Sequence, residues 1–122
     1  MGENIILVKS KKFAVRIVKL RKYLFEECNE RILSGQLCRS GTSIGANVRE
    51  AIRAQSTADF LSKLQIALKE ADETSYWLEV LYEAGYLKEK MYVSFHEDCS
   101  ELIKLLVSII STKKSNMNQK QF

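Results

Sequence analysis

The sequence predicts an all-α fold, an antiparallel up-down-up-down four-helix bundle, and three observations point to it. There is no proline and there are only five glycines in 122 residues, so nothing punctuates the chain as often as an all-β fold requires. The apolar residues, mostly Leu, Ile and Ala, return every three or four positions. The segments that show this period are separated by only a few residues. A chain of this length with 46% hydrophobic content supports one core and not two ordinary domains. It divides into an N-terminal segment 1–9, a bundle domain 10–112 and a polar tail 113–122, "KKSNMNQKQF", expected to be disordered because it has no face to bury.

The first helix is expected over about residues 10–33. Phe13, Ile17, Leu20, Leu24 and Cys28 lie at helical spacing with Ala14, Val18 and Phe25 alongside; Ser10 suits an N-cap, and Ser34-Gly35 suits a break. Leu37, Ile44, Val48 and Ala51 carry the period through a second helix. Ser56, with Asp59 three residues on, resembles a capping box and opens a third, whose face is Phe60, Leu64, Leu68, Ala71, Leu78 and Tyr82 and whose C-terminal cap is Gly85. The fourth, from about Lys88 to Ser111, shows Met91, Phe95, Leu102, Leu105, Leu106 and Ile109. A link of three or four residues cannot cross a helix length of roughly 30 Å, so successive helices are expected to run antiparallel.

The net charge of +4 is unevenly placed: residues 1–55 hold eleven Lys/Arg against five Asp/Glu, and residues 56–122 hold eight against ten. From Lys9 to Lys22 there are seven cations and no acid. Lys9, Lys12, Arg16 and Lys19 fall on one helical face with Lys22 close by, a basic stripe that could meet the phosphates of a nucleic acid. A solvated helix flank is the commoner fate of such a stripe.

The second helix contains "RSGTSIGAN", residues 39–47, which a phosphate-binding loop would need to place after a strand and end in Lys-Ser/Thr; it does neither. On a helical wheel Gln36, Arg39, Ser43, Asn47 and Glu50 form a polar stripe. Ser40, Gly41 and Gly45 supply small residues where another backbone can come close, which repays the roughly 1 kcal/mol that each glycine costs a helix. The third helix has a matching polar stripe of Lys63, Glu70, Thr74 and Trp77, with Glu73 near it. Ion pairs and hydrogen bonds between Arg39 or Glu50 and Lys63, Glu70 or Glu73, across helices or between subunits, are the expected use of these charges, and the small residues and Trp77 suit a subunit interface.

Chemistry beyond ion pairing finds no support. The one histidine, His96, has no Glu three residues before it, as a di-metal bundle site would require, and no nucleophile, base and orienting acid can be assembled. Cys28, Cys38 and Cys99 are widely spaced and odd in number, which fits reduced thiols and neither a disulfide framework nor zinc. No cofactor or metal is expected, and the chain reads as a non-enzyme. No apolar run approaches the ~20 residues of a membrane span. The basic residues of "MGENIILVKSKKFAV" follow its apolar patch where a signal peptide has them first, so a cytoplasmic location is expected.

"QLCRSGTSIGANVREA" followed by "STADFLSKLQIALKEADETSYWLEVL" resembles the signature of the four-helix bundle proteins encoded in intervening sequences of bacterial 23S rRNA genes, over about residues 10–112. Accessory proteins of diversity-generating retroelements resemble the same family and work beside a reverse transcriptase. The resemblance implies a homopentameric ring, a basic surface for RNA or DNA, and no established enzymatic activity. Two function classes stay open: a nucleic-acid-associating oligomer, and a scaffold that docks a reverse transcriptase or another protein. Helix one lacks interleaved exposed aromatics, and no reading module is present, so binding would follow backbone and shape.

Overall fold

The computed structural model describes residues 2–120, with side chains from Asn4 to Asn118. It contains four helices: α1 (Gly2–Glu26), α2 (Ile32–Ile52), α3 (Thr57–Glu83) and α4 (Glu89–Lys120). Among the described residues there is no strand. Each helix packs on its neighbours in the order α1, α2, α3, α4 and back to α1. The α2–α3 seam is the most extensive and the α1–α4 seam the least.

Each helix turns a seam of three- and four-residue steps toward one shared core. On α1 it is Ile6, Ser10, Phe13, Ile17, Leu20 and Leu24; on α2, Ser34, Leu37, Gly41, Ile44, Val48 and Ala51. On α3 it is Phe60, Leu64, Ala67, Ala71, Thr74, Leu78 and Leu81, and on α4, Phe95, Cys99, Leu102, Leu106 and Ile110. Steps averaging 3.5 residues keep a seam facing its partners along a gently supercoiled helix. Complete burial of a Leu, Ile or Phe is worth about 1.5 to 3 kcal/mol, so these seams dominate the stability.

Three sequence expectations about boundaries are corrected. Ser10 is not an N-cap, because the seam continues back through it to Ile6; it is fully buried inside α1, and its hydroxyl donates to the Leu7 carbonyl at 3.3 Å. The expected N-terminal segment is therefore helical from Gly2, and Met1 lies outside the described residues. The first break falls at residues 27–31 and not at Ser34-Gly35. Asn29 adopts φ +53°, a conformation its short polar side chain tolerates, and α2 starts at Ile32. The buried Glu30 carboxylate accepts from the Ser34 N–H at 2.7 Å, while the Ser34 hydroxyl donates to the Glu30 carbonyl at 2.8 Å. Glu30 thus satisfies an orphan donor of the first turn of α2. Finally, α4 does not end at Ser111. With no Gly or Pro to stop it, and with Met117 half-buried against the core, it runs through the expected tail to Lys120; residues 121–122 lie outside the described range.

The third helix begins and ends where the sequence places it. Ser56 is extended and its hydroxyl accepts from the Asp59 N–H at 3.1 Å, and Gly85 takes φ +90° just beyond the last turn. Val18 and Phe25 depart from the expected packing face: both are exposed on α1, at 51% and 41%.

Candidate functional site

The α2–α3 seam gathers most of the polar residues that the sequence singles out. Arg39 reaches Glu70 at 3.3 Å and Glu73 at 2.5 Å, spanning two acids on successive positions of the α3 stripe. One level in, where solvent is absent, the Thr74 hydroxyl lies 2.9 Å from the Ser40 hydroxyl, and each is also within reach of its own helix backbone, Thr74 of the Glu70 carbonyl and Ser40 of the Leu37 carbonyl. Glu50 and Lys63 pair at 3.3 Å nearer the other end of the seam. Ser43 donates to the Arg39 carbonyl and Asn47 to the Ser43 carbonyl, so these two serve α2 internally. The Arg39 guanidinium holds the Glu73 carboxyl below its ordinary range, and the Trp77 indole beside Glu73 acts in the same direction. Arg39 is shifted upward in turn, first by its bond to Glu73. Trp77 Nε1 itself is buried without a hydrogen bond of normal geometry.

Gly41 and Gly45 look the other way, toward α1. A Cβ on Gly41 would meet the Ile17 side chain at 2.9 Å, and one on Gly45 would lie 3.3 Å from the Ser10 carbonyl oxygen. The close approach that these glycines allow is therefore within the chain, and they carry no argument for a subunit contact.

The basic stripe of α1 is divided by the fold. Lys9 pairs with Glu101 at 2.7 Å. Arg16 pairs with Asp98, donates to Ser94 at 3.0 Å and lies over the Phe95 ring, 4.0 Å from its centroid. These two cations serve the α1–α4 seam, and their acids sit 92 and 82 residues away in sequence, beyond the reach of local pattern. Lys12, Lys19 and Lys22 are exposed and take part in no ion pair among the described residues. Around them α1 also exposes Ile5, Val8 and Val15.

One cluster escaped the sequence. His96 Nε2 lies 3.3 Å from the Ser75 hydroxyl and 3.8 Å from Glu79, with its ring against Tyr92, which stacks on Tyr82 at 4.3 Å. Ser75 and Glu79 reach the same ring nitrogen, so the imidazole cannot pass a proton from one to the other as a catalytic relay does. No signal in the sequence marks Ser75 or Glu79. Among the described residues no three His, Cys, Asp or Glu side chains converge as a metal site would require, and no helix is long and apolar enough to cross a membrane.

Residues 2–108 match the family model of the 23S rRNA-intervening sequence protein, nearly the whole of the described fold. The chain belongs to this family. A crystal structure of a protein of unknown function from the S23 ribosomal protein family of Bacteroides thetaiotaomicron VPI-5482 superposes with a TM-score of 0.90 at 55% identity, covering 91% of this chain and 99% of that one. No curated protein matches the chain. The family match covers both polar seams and the basic part of α1, and the function of the solved relative is described as unknown.

Proposed function

We propose that this member of the 23S rRNA-intervening sequence protein family is a non-enzymatic, cytoplasmic, oligomeric four-helix bundle that associates with RNA or DNA through a basic surface. The carrying observation is the acid-free run from Lys9 to Lys22, in which Lys12, Lys19 and Lys22 remain exposed and unpaired among the described residues. Cations of this kind displace condensed counterions from a phosphate backbone, giving affinity that falls steeply with salt and depends little on base sequence. The up-down-up-down topology is supported by the order of cross-helix pairs. Residue 39 meets 73 while 50 meets 63, 75 meets 96 while 71 meets 99, and 9 meets 101 while 16 meets 94.

Assembly into a homopentameric ring would repeat the surface five times and raise avidity without new contacts. It is supported by the family's resemblance; the exposed apolar side chains Ile5, Val8, Val15 and Val18 on α1 lie among Lys12, Lys19 and Lys22, so a subunit contact through them would cover those lysines. The same side chains favour a second reading, a scaffold that docks a reverse transcriptase or another protein. Titration of structured RNA and duplex DNA at several salt concentrations separates the two. The K12Q/K19Q/K22Q variant should bind more weakly, with a smaller salt slope; a wild-type protein that binds neither polymer leaves the scaffold reading. Light scattering should give several times the chain mass of 14.0 kDa, and a monomer would end the ring.

A further inference from the structure

Three cations that the α1 stripe does not include converge elsewhere. A groove of about 630 Å³ opens where the N-terminal half of α1, the C-terminal half of α2 and the start of α3 meet. Its floor is apolar and low, formed by Leu7, Ala14, Gly45 and Ala46. Gly45 keeps it shallow, since its missing side chain lets α1 lie close. Lys11 from α1, Arg49 from α2 and Arg53 just beyond the end of α2 line it, and none of the three is in an ion pair among the described residues. Gln55 and Asp59 also line it and offer hydrogen-bond acceptors, while Lys63, a further lining residue, is compensated by the lining Glu50.

Arg49 lies in the last turn of α2, where a cation suits the helix dipole, and that alone would account for it. It does not account for Lys11, which arrives from another helix and faces the same space. A concave surface with low-dielectric walls concentrates the field of its cations, so this groove attracts anions more strongly than the convex face of α1. A bare phosphate would be repelled by Asp59. A ligand that carries both a phosphate and hydrogen-bond donors, with a flat body for the apolar floor, satisfies every wall. An unpaired nucleotide has all three parts, whereas in a duplex the Watson–Crick edges are engaged in pairing and the base faces are covered by stacking.

We propose that this groove holds an unpaired nucleotide of a single-stranded segment, its phosphates against Lys11, Arg49 and Arg53 and its base and sugar toward Gln55 and Asp59. The inference rests on the nucleic-acid reading above and adds to it a place and a strand preference. It gives Arg49 and Arg53 a role outside the acid-free run of α1.

The test is fluorescence anisotropy with a labelled 12-nucleotide single-stranded RNA and with the same sequence as a duplex, from 50 to 300 mM salt (both probe and range being about the scale that phosphate contacts require). Four proteins are compared: wild type, R49Q/R53Q, K12Q/K19Q/K22Q, and K88Q/K90Q as a charge control at the opposite end of the helices. All these positions are exposed, and circular dichroism checks that each variant is folded. Wild type should prefer the single strand. R49Q/R53Q should lose about tenfold or more in affinity for it, and its salt slope should fall by about 1.4, which is two phosphate contacts at 0.7 each. K88Q/K90Q should change little. If R49Q/R53Q binds the single strand as tightly as wild type while K12Q/K19Q/K22Q binds it weakly, the groove is overturned and the nucleic-acid reading stands. A wild-type protein that binds neither probe overturns both.

Discussion

The two long faces of α2 solve the same packing problem by opposite means. Toward α1 it removes side chains, placing Gly41 against the apolar Ile17 and Gly45 against the Ser10 carbonyl, so that contact is close. Toward α3 it keeps polar ones, with Arg39 bridging Glu70 and Glu73 and Ser40 meeting Thr74 in a dry interior. The first face gains from dispersion at short range and tolerates almost no added volume. The second gains little net energy per contact, yet each buried polar atom must find its partner, which fixes how the two helices are aligned.

The sharpest way to break this contrast is to add volume on the α1 side. Gly41→Val should destabilise the fold by about 3 kcal/mol, since even a Cβ would stand 2.9 Å from both Cγ atoms of Ile17 and force a shift. Ile17→Ala alone should cost about 2 to 5 kcal/mol, and the double variant should cost clearly less than the sum, measured by urea unfolding. Strict additivity would mean that the two residues do not share that space.

On the α3 side, Thr74→Val keeps the shape and removes a hydroxyl between two partners. A loss of about 1 kcal/mol is expected, with little further loss on adding Ser40→Ala. Gly35 gives the converse control, because a Cβ there would meet only an Arg21 nitrogen at an ordinary 3.6 Å. Gly35→Ala should therefore stabilise the protein by about 0.5 to 1 kcal/mol through helix propensity.

The smallest effect is expected at the exposed ion pair. Arg39 is 49% exposed and Glu73 35%, so solvent screening limits Glu73→Gln to about 0.5 kcal/mol at neutral pH. The sign follows from the lowered folded-state pKa of Glu73. Its contribution is fully present above the ordinary carboxylate value and is lost as pH falls through the lower, folded one. Wild type and variant should thus converge in melting temperature as the pH drops below about 4.5.

What the sequence reveals about these faces depends on how local the determining contact is. Ser56 and Gly85 bound α3 because an N-cap and a left-handed C-terminal residue act within one turn. The α1–α2 break was misplaced because Ser34-Gly35 looks like a stop. The real stop is Asn29 in a left-handed conformation, completed by the Glu30 carboxylate on the Ser34 N–H. The polar stripes of α2 and α3 are visible on a wheel, but the partition of the basic residues is not. Only the fold shows that Asp98 and Glu101 take up Arg16 and Lys9, or that Lys11 joins Arg49 and Arg53 at a groove. His96 similarly finds Ser75 and Glu79 through the α3–α4 contact alone.

Cys99 offers a clock for the whole assembly of helices. Its thiol is fully enclosed, donates to the Ala71 carbonyl at 3.3 Å and is pushed up to about 12 by burial, whereas Cys28 and Cys38 are partly open to solvent. A thiolate-seeking reagent needs both access and ionisation, and the native state denies it both at this one sulfur. Cys28 and Cys38 should be modified quickly. The third equivalent should then appear only as fast as α4 parts from α3, turning a single sulfur into a record of how often the core opens.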